Sequence, residues 1–216
     1  MRTLLLAFAI LALAVGCGGD GDDSGSADTT GETTECESVE APDTREETRD
    51  APTEPLASGT TYALVFDTSC GSFTVTLDSE LAPETAPSLV ALAESGYFDD
   101  TIFHRVVPDF VIQGGDPTQT GAGGPGYQTV DPPPQDARYT EGVVAMAKAQ
   151  TEAAGTSGSQ FFVVTGASAA VLTPDYAIVG EVTGGQDTID RIAALGVTDG
   201  PPSMPVLVRT VTVSES

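Results

Sequence analysis

The side chains best able to do chemistry lie close together in this chain. Between Phe103 and Gly126, FHRVVPDFVIQGGDPTQTGAGGPG, stand its only histidine, His104, the cation Arg105 and the amide Gln113, and a glycine-rich run follows. A second amide, Gln160, sits in the later segment GSQFFVV. Side chains alternate faces along a strand, so His104 and Val106 are expected on one side of Phe103–Val107, with Phe103, Arg105 and Val107 on the other. An arginine in so apolar a segment is costly to bury without partners. It is either a structural arginine paired with a carboxylate or one aimed into a binding pocket. Phe110, Val111 and Phe162 read equally well as core or as pocket lining. Gln113 and Gln160 could be satisfied amides beside a loop, and His104 reads as a structural histidine hydrogen-bonded within the wall.

Composition removes other chemistries. The 216 residues hold 32 acidic against 8 basic side chains, a net charge of -24, where nucleic-acid binding needs a basic footprint. One histidine and three cysteines make no metal-ligand cluster, so no metal and no cofactor are expected. No GxSxG elbow, Walker A or dinucleotide fingerprint is present. The run GGDPTQTGAGGPG lacks the phosphate-cradling spacings and reads as a turning loop.

The elements that must position these residues are mostly short strands. Tyr62–Phe66 and Phe73–Leu77 read as a hairpin around DTSCGS. Ile102–Val107 and Phe110–Ile112 are strands separated by a Pro108-Asp109 turn, and Val143–Met146, Phe161–Val164, Ala177–Val179 and Val206–Val213 are apolar runs of strand length. Two stretches have helical spacing: Pro83–Ser95, with Leu89, Leu92 and Ala93, and Gln186–Leu195, with Ile189, Ile192 and Ala193. DPPPQD at 131–136 reads as a stiff extended loop. Many short strands with two helices imply a mainly β fold of the antiparallel barrel kind.

The segments FHRVVPDFVIQGGDPTQTGAGGPGY, GVVAMAKA, GSQFFVVTG and LTPDYAIVGEVTGGQDTIDRI, in that order, resemble the cyclophilin family of peptidyl-prolyl cis-trans isomerases over roughly residues 62–213. The resemblance implies a closed eight-stranded antiparallel β-barrel capped by two α-helices, acting on proline-containing polypeptides without a covalent intermediate. Carried over by motif, Arg105 and Gln113 are catalytic: Arg105 donates to the nitrogen of a twisted prolyl amide and Gln113 orients it. Phe110, Val111, Phe162 and Leu172 line the proline pocket, with Tyr176 where well-studied eukaryotic members have histidine. Gln160, Ala147, Lys148 and Ala149 meet the peptide, and Gly121 borders the neighbouring pocket. The chain departs from the family at Val111, often methionine, and at Lys148, often asparagine. It has Val171 where a tryptophan contacts cyclosporin, which implies weaker drug binding.

The N-terminus reads as a separate module. Residues 1–16 are basic then apolar and too short for an ordinary spanning helix. Ala14-Val15-Gly16-Cys17 resembles a bacterial lipoprotein processing site, with Cys17 the lipidated residue and the membrane its partner. An acidic, sparsely apolar stretch, 17–60, reads as a disordered tether, and 61–216 as the isomerase domain, monomeric. The expected location is an extracytoplasmic bacterial membrane lipoprotein that helps exported proteins fold. Cys36 and Cys70 remain as an even pair, either a disulfide that fastens 37–60 to the domain or two free thiols. The alternative function is a tethered, non-catalytic module that binds proline-containing peptides; retention of both Arg105 and Gln113 favours the enzyme.

Overall fold

The computed structural model describes residues 35–216. The apolar segment 1–16 and Cys17 lie outside the described residues. No helix among those described is long and apolar enough to cross a membrane.

The hairpin forms as β1 (Tyr62–Thr68) and β2 (Gly71–Leu77). Alternation along both strands sends Leu64, Phe66, Phe73 and Val75 inward. Phe66 and Phe73 are register partners, and their rings stack with centroids 4.6 Å apart. The remaining strands are β3 (Thr101–Ile102), β4 (Arg105–Val107), β5 (Val111–Gly114), β6 (Thr129–Val130), β7 (Val143–Met146), β8 (Thr156–Ser157), β9 (Phe161–Val164), β10 (Ile178–Gly184) and β11 (Leu207–Glu215). Of the eleven strands among the described residues, nine, β1 and β2 included, form one antiparallel sheet in the order β3-β11-β1-β2-β10-β7-β9-β5-β4, and β6 pairs with β8 alone. The helices are α1 (Thr85–Glu94), against β11, β1 and β6, and α2 (Gln186–Ala193), against β2, β4 and β5. The N-terminal amides of α1 are met from a distance: the Asp131 carboxylate accepts from Thr85 N at 2.7 Å and from its hydroxyl at 2.6 Å.

The sheet corrects the expectation of a closed eight-stranded barrel. It has nine strands and curls without closing, because its two edge strands, β3 and β4, do not pair. They are consecutive pieces of one chain, interrupted at Phe103–His104, so they meet end to end through the backbone and not side by side. The interruption also breaks the expected alternation. Phe103 and Val106 are both fully buried in the core, while Arg105 stays half-buried on the outer face.

Residues 35–60 depart from the disordered tether expected over 17–60. From Cys36 onward the chain has no helix or strand, yet it is laid along the domain. Cys36 and Cys70 are disulfide-bonded, and Glu37 N donates to Ser69 O at 2.7 Å. Arg45 spans the turns after α1, its guanidinium donating to the carbonyls of Tyr97 and Asp99 at 2.7 Å each. Arg49 reaches the Ser95 hydroxyl at 3.2 Å and lies over the Tyr97 ring. Glu47 sits between the two arginines and is ion-paired to both. Burial pushes the Glu47 carboxyl up, but the hydrogen bonds and charges of both arginines outweigh it and hold its pKa below the ordinary value. At the far end Leu56 packs on the core, and Thr61 pairs with Ser216 through both backbone groups.

The bridge closes a loop across a sequence separation of 34. An unreduced digest should yield a linked Cys36–Cys70 peptide that separates on reduction. Cys36→Ser/Cys70→Ser should lower the unfolding free energy by about 3–4 kcal/mol, by the entropy of a loop this long. Alkylation of both thiols without prior reductant would contradict the bridge.

Candidate active site

The site is built on the outer face of the sheet by one cross-strand row. Arg105 on β4 is the register partner of Gln113 on β5; Gln113 is the partner of Phe162 on β9; Phe162 is the partner of Ala145 on β7. Directly opposed residues share a face, so the alternation that buries Phe161, Ile112 and Met146 inside also aligns Arg105, Gln113 and Phe162 outside. Val111, Ala145, Phe162 and Val164 form a second, smaller apolar cluster there, with Phe110, Leu172 and Tyr176 packed against it. Tyr176 meets Phe162 edge-on, centroids 5.5 Å apart.

The cluster floors a cleft of about 260 Å³ lined by Arg105, Phe110, Val111, Gln113, Phe162 and Leu172, among others. Its apolar side and size suit a small ring, and its polar side is a chain of amides. Arg105 Nη1 donates to Gln113 Oε1 at 3.3 Å, Gln113 Nε2 to Gln160 Oε1 at 3.1 Å, and Gln160 Nε2 to the Gly123 carbonyl at 2.9 Å. The guanidinium carbon lies 5.7 Å from the Phe110 ring centroid. On the other side, Arg105 Nε donates to Asp199 Oδ1 at 2.6 Å. The hydrogen bond and charge of Arg105 hold the Asp199 carboxyl below its ordinary pKa. These bonds use two of the five guanidinium N–H donors and leave the rest for a ligand.

A larger pocket of about 720 Å³ adjoins the cleft. Gln113, Ala147 and Lys148 line both, while Gly121, Ala149 and Gln160 border the larger one. Lys148 Nζ donates to the Glu152 carbonyl at 3.1 Å, and the Ala149 amide donates to the Glu152 carboxylate at 2.6 Å, which folds the 150–153 turn back on itself. One wall is the glycine-rich loop, organised around Asp116. That fully buried carboxylate accepts from the Thr118 amide and hydroxyl and from the amides of Gly121 and Gly123, at 2.7–3.1 Å. Burial pushes the Asp116 carboxyl up, but those bonds outweigh it and the net shift is down. Gly121 has φ +78°, and a Cβ on Gly123 would lie 2.1 Å from Asp116 Oδ1, so neither position admits a side chain without movement.

The residues named from sequence therefore gather in one cleft and its neighbouring pocket. Asp199 was not among them. It lies 94 residues from Arg105, in a Gly-Pro-rich stretch with no periodicity, and only the unmet need of Arg105 for a carboxylate pointed to it. Arg105 is thus paired with a carboxylate and also lines the cleft. His104 differs from expectation. Both ring nitrogens are buried, and neither has a hydrogen-bond partner in the wall.

The chain matches a known family in sequence and fold. Residues 63–213 match the family model described as cyclophilin type peptidyl-prolyl cis-trans isomerase/CLD. "Peptidyl-prolyl cis-trans isomerase-like 1" of Aspergillus fumigatus is 39% identical over 158 residues, covering 70% of this chain and 96% of the relative. "Spliceosome-associated protein CWC27 homolog" of Xenopus laevis is 40% identical over 160 residues, 71% of this chain but 31% of that protein. A Cryptosporidium parvum cyclophilin-type isomerase, solved in the presence of the dipeptide Ala-Pro, superposes with a TM-score of 0.64 at 29% identity, covering 71% of this chain and 99% of that one. The chain belongs to the cyclophilin-type peptidyl-prolyl cis-trans isomerase family and is an isomerase of that kind. These relatives are eukaryotic, which overturns the expected placement as a bacterial membrane lipoprotein; nothing in the comparisons supports membrane anchoring.

Burial pushes the His104 pKa down; the Asp116 charge opposes this and the Arg105 charge reinforces it, with the net direction down. His104 is therefore neutral in the fold at pH 7. As pH falls through the ordinary histidine range, near ~6.5, the unfolded chain takes up a proton the folded chain resists, so stability falls. Denaturant midpoints should drop between pH 8 and pH 5.5, and His104→Gln should drop less. Equal drops in the two proteins would remove His104 from the account.

Proposed function

We propose that the enzyme accelerates rotation about Xaa-Pro bonds by using Arg105 to stabilise the twisted amide, with the pyrrolidine ring in the cleft over Phe162. Amide resonance sets a barrier of about 18–20 kcal/mol. Twisting the bond breaks that resonance and gives the prolyl nitrogen a usable lone pair. A donor aimed at that nitrogen strengthens as the bond twists and is weak while it is planar, and such selectivity is what accelerates a reaction. No bond is made or broken, so no nucleophile, metal or cofactor is needed.

The observation that carries this reading is the row Arg105–Gln113–Phe162. It sets a guanidinium with free donors beside an apolar floor of proline size. Gln113 and Asp199 position the guanidinium from two sides. The Asp199 carboxylate is largely exposed, so its pairing aligns Arg105 more than it neutralises it. Phe110, Val111, Leu172 and Tyr176 complete the ring site. Gln160 and the strand edge Ala147–Lys148–Ala149 hold the peptide backbone as it leaves the cleft, and residues preceding the proline enter the pocket beside Gly121. A pure binding module would need the apolar floor but not a positioned guanidinium.

In a protease-coupled prolyl-peptide assay, Arg105→Ala should lose at least ~100-fold in kcat/KM, about 2.7 kcal/mol of transition-state stabilisation, with an unchanged circular dichroism spectrum. Wild-type activity in this variant would overturn the mechanism. Phe162→Ala should raise KM, and so lower kcat/KM, with little change in kcat, because the lost apolar area serves the ring in both states; a folded variant with both constants unchanged would remove Phe162 from the site.

A further inference from the structure

The segment 35–60 lies wholly outside the region that matches the family, which begins at residue 63, yet it touches the active-site wall. Its two ends are fixed, by the Cys36–Cys70 bridge and by the Thr61–Ser216 pairing. Between them it runs over the glycine-rich loop and bonds to it three times. Arg45 N donates to Pro117 O at 3.0 Å and Arg49 N to Pro125 O at 2.8 Å. In the reverse direction, Gln119 Nε2 donates to Pro42 O at 2.9 Å. Thr48 covers Gly126 so closely that a Cβ there would lie 3.1 Å from its methyl. The same loop supplies the pocket wall from Gly121 to Gln128 and offers the Gly123 carbonyl to Gln160, the far end of the amide chain from Arg105.

We propose that residues 36–60 form a clasp that sets the shape of the larger pocket and so selects the residues preceding proline in the substrate. This rests on the reading of the cleft as the proline site. The loop is gripped on both sides, by the Asp116 carboxylate from within and by the clasp from without. A glycine-rich loop has many accessible backbone states, and Asp116 anchors only its first half, up to Gly123. The second half, from Gly124 to Gln128, borders the pocket; the clasp fastens it at Pro125 and Gly126, while Tyr127 and Gln128 at its far end are held by Ser88 and Glu152. Among the apolar side chains of the clasp, Cys36 and Leu56 pack on the core. Its docking therefore rests on hydrogen bonds, on the arginines at the end of α1 and on the covalent anchor. Ordering each residue costs backbone entropy, so the bridge, by shortening the free chain, favours the docked state. Releasing the clasp changes what the pocket accepts and leaves Arg105, Gln113 and Phe162 in place, because the sheet positions those.

The test uses the full chain and three variants: Cys36→Ser/Cys70→Ser, Arg49→Ala, which keeps the bridge, and Arg105→Ala. Each is assayed on tetrapeptides that differ only in the two residues before proline, and amide hydrogen exchange is followed over 117–128. Both clasp variants should exchange faster across 124–128 while β7 and β9 stay protected. The ratio of kcat/KM between bulky and alanine-containing peptides should shift by at least about fivefold, through KM rather than kcat. Unchanged exchange at 124–128, or ratios equal to wild type across the panel, would overturn the clasp. An active Arg105→Ala would instead overturn the mechanism, and the exchange result would still report on the clasp. If the cysteine variant fails to fold, Arg49→Ala decides alone.

Discussion

A guanidinium on an apolar sheet face has to be held there. Left to itself, the Arg105 side chain would extend to water, since burying an unpartnered cation costs far more than its apolar neighbours return. The sheet register puts Gln113 opposite it, the loop after α2 brings Asp199 to its Nε, and Phe110 lies beneath its plane. Three elements far apart in sequence converge on one side chain. The proposed chemistry depends on that convergence, because a donor that must be reoriented during the reaction stabilises the twisted amide less than one already in place.

From that point the order spreads outward. Gln113 passes it to Gln160, Gln160 to the Gly123 carbonyl, and the glycine-rich loop to Asp116 on one side and to residues 42–49 on the other. The cleft over Phe162 is thus set by strands, and the adjoining pocket by a loop and its supports. Strands of a packed sheet are hard to deform, whereas loops vary cheaply. In the proposed reading, this division keeps the proline site fixed while a segment outside the family region adjusts the pocket wall.

The parts of the fold that follow from residue spacing were legible in the sequence. Both helices and the principal strands stand near where apolar periodicity put them, whereas the meeting of Arg105, Gln113, Gln160 and Phe162 was legible only through the family resemblance, since spacing alone left each of them open between wall and pocket. Closure was not legible. Whether a sheet seals depends on whether its last strands can pair, and the break at Phe103–His104 looks like ordinary strand sequence. Asp199 was hidden because a partner brought by a loop leaves no periodic trace. The docking of 35–60 was legible in the cysteine pair, one reading of which fastened 37–60 to the domain, but not in composition, since an acidic, apolar-poor stretch gives the same statistics docked or free. Its trace was the alternation Arg45, Glu47, Arg49, three charges on one face of an extended chain, together with Cys36. The His104 nitrogens resisted prediction for a different reason: a partner supplied by the wall is the usual outcome for a buried imidazole, and here the wall supplies none.

The central claim is that a correctly oriented guanidinium, and not merely a positive charge in an apolar cleft, does the work. Arginine presents a rigid planar fork, whereas lysine offers a mobile point charge. Two-dimensional NMR exchange spectroscopy on an Ala-Pro peptide, with catalytic amounts of the full chain or of Arg105→Lys, separates these ideas. The account predicts that both proteins broaden and shift the peptide resonances on binding, but that cis–trans exchange cross-peaks grow only with the wild-type enzyme. Exchange at the wild-type rate with Arg105→Lys would contradict it.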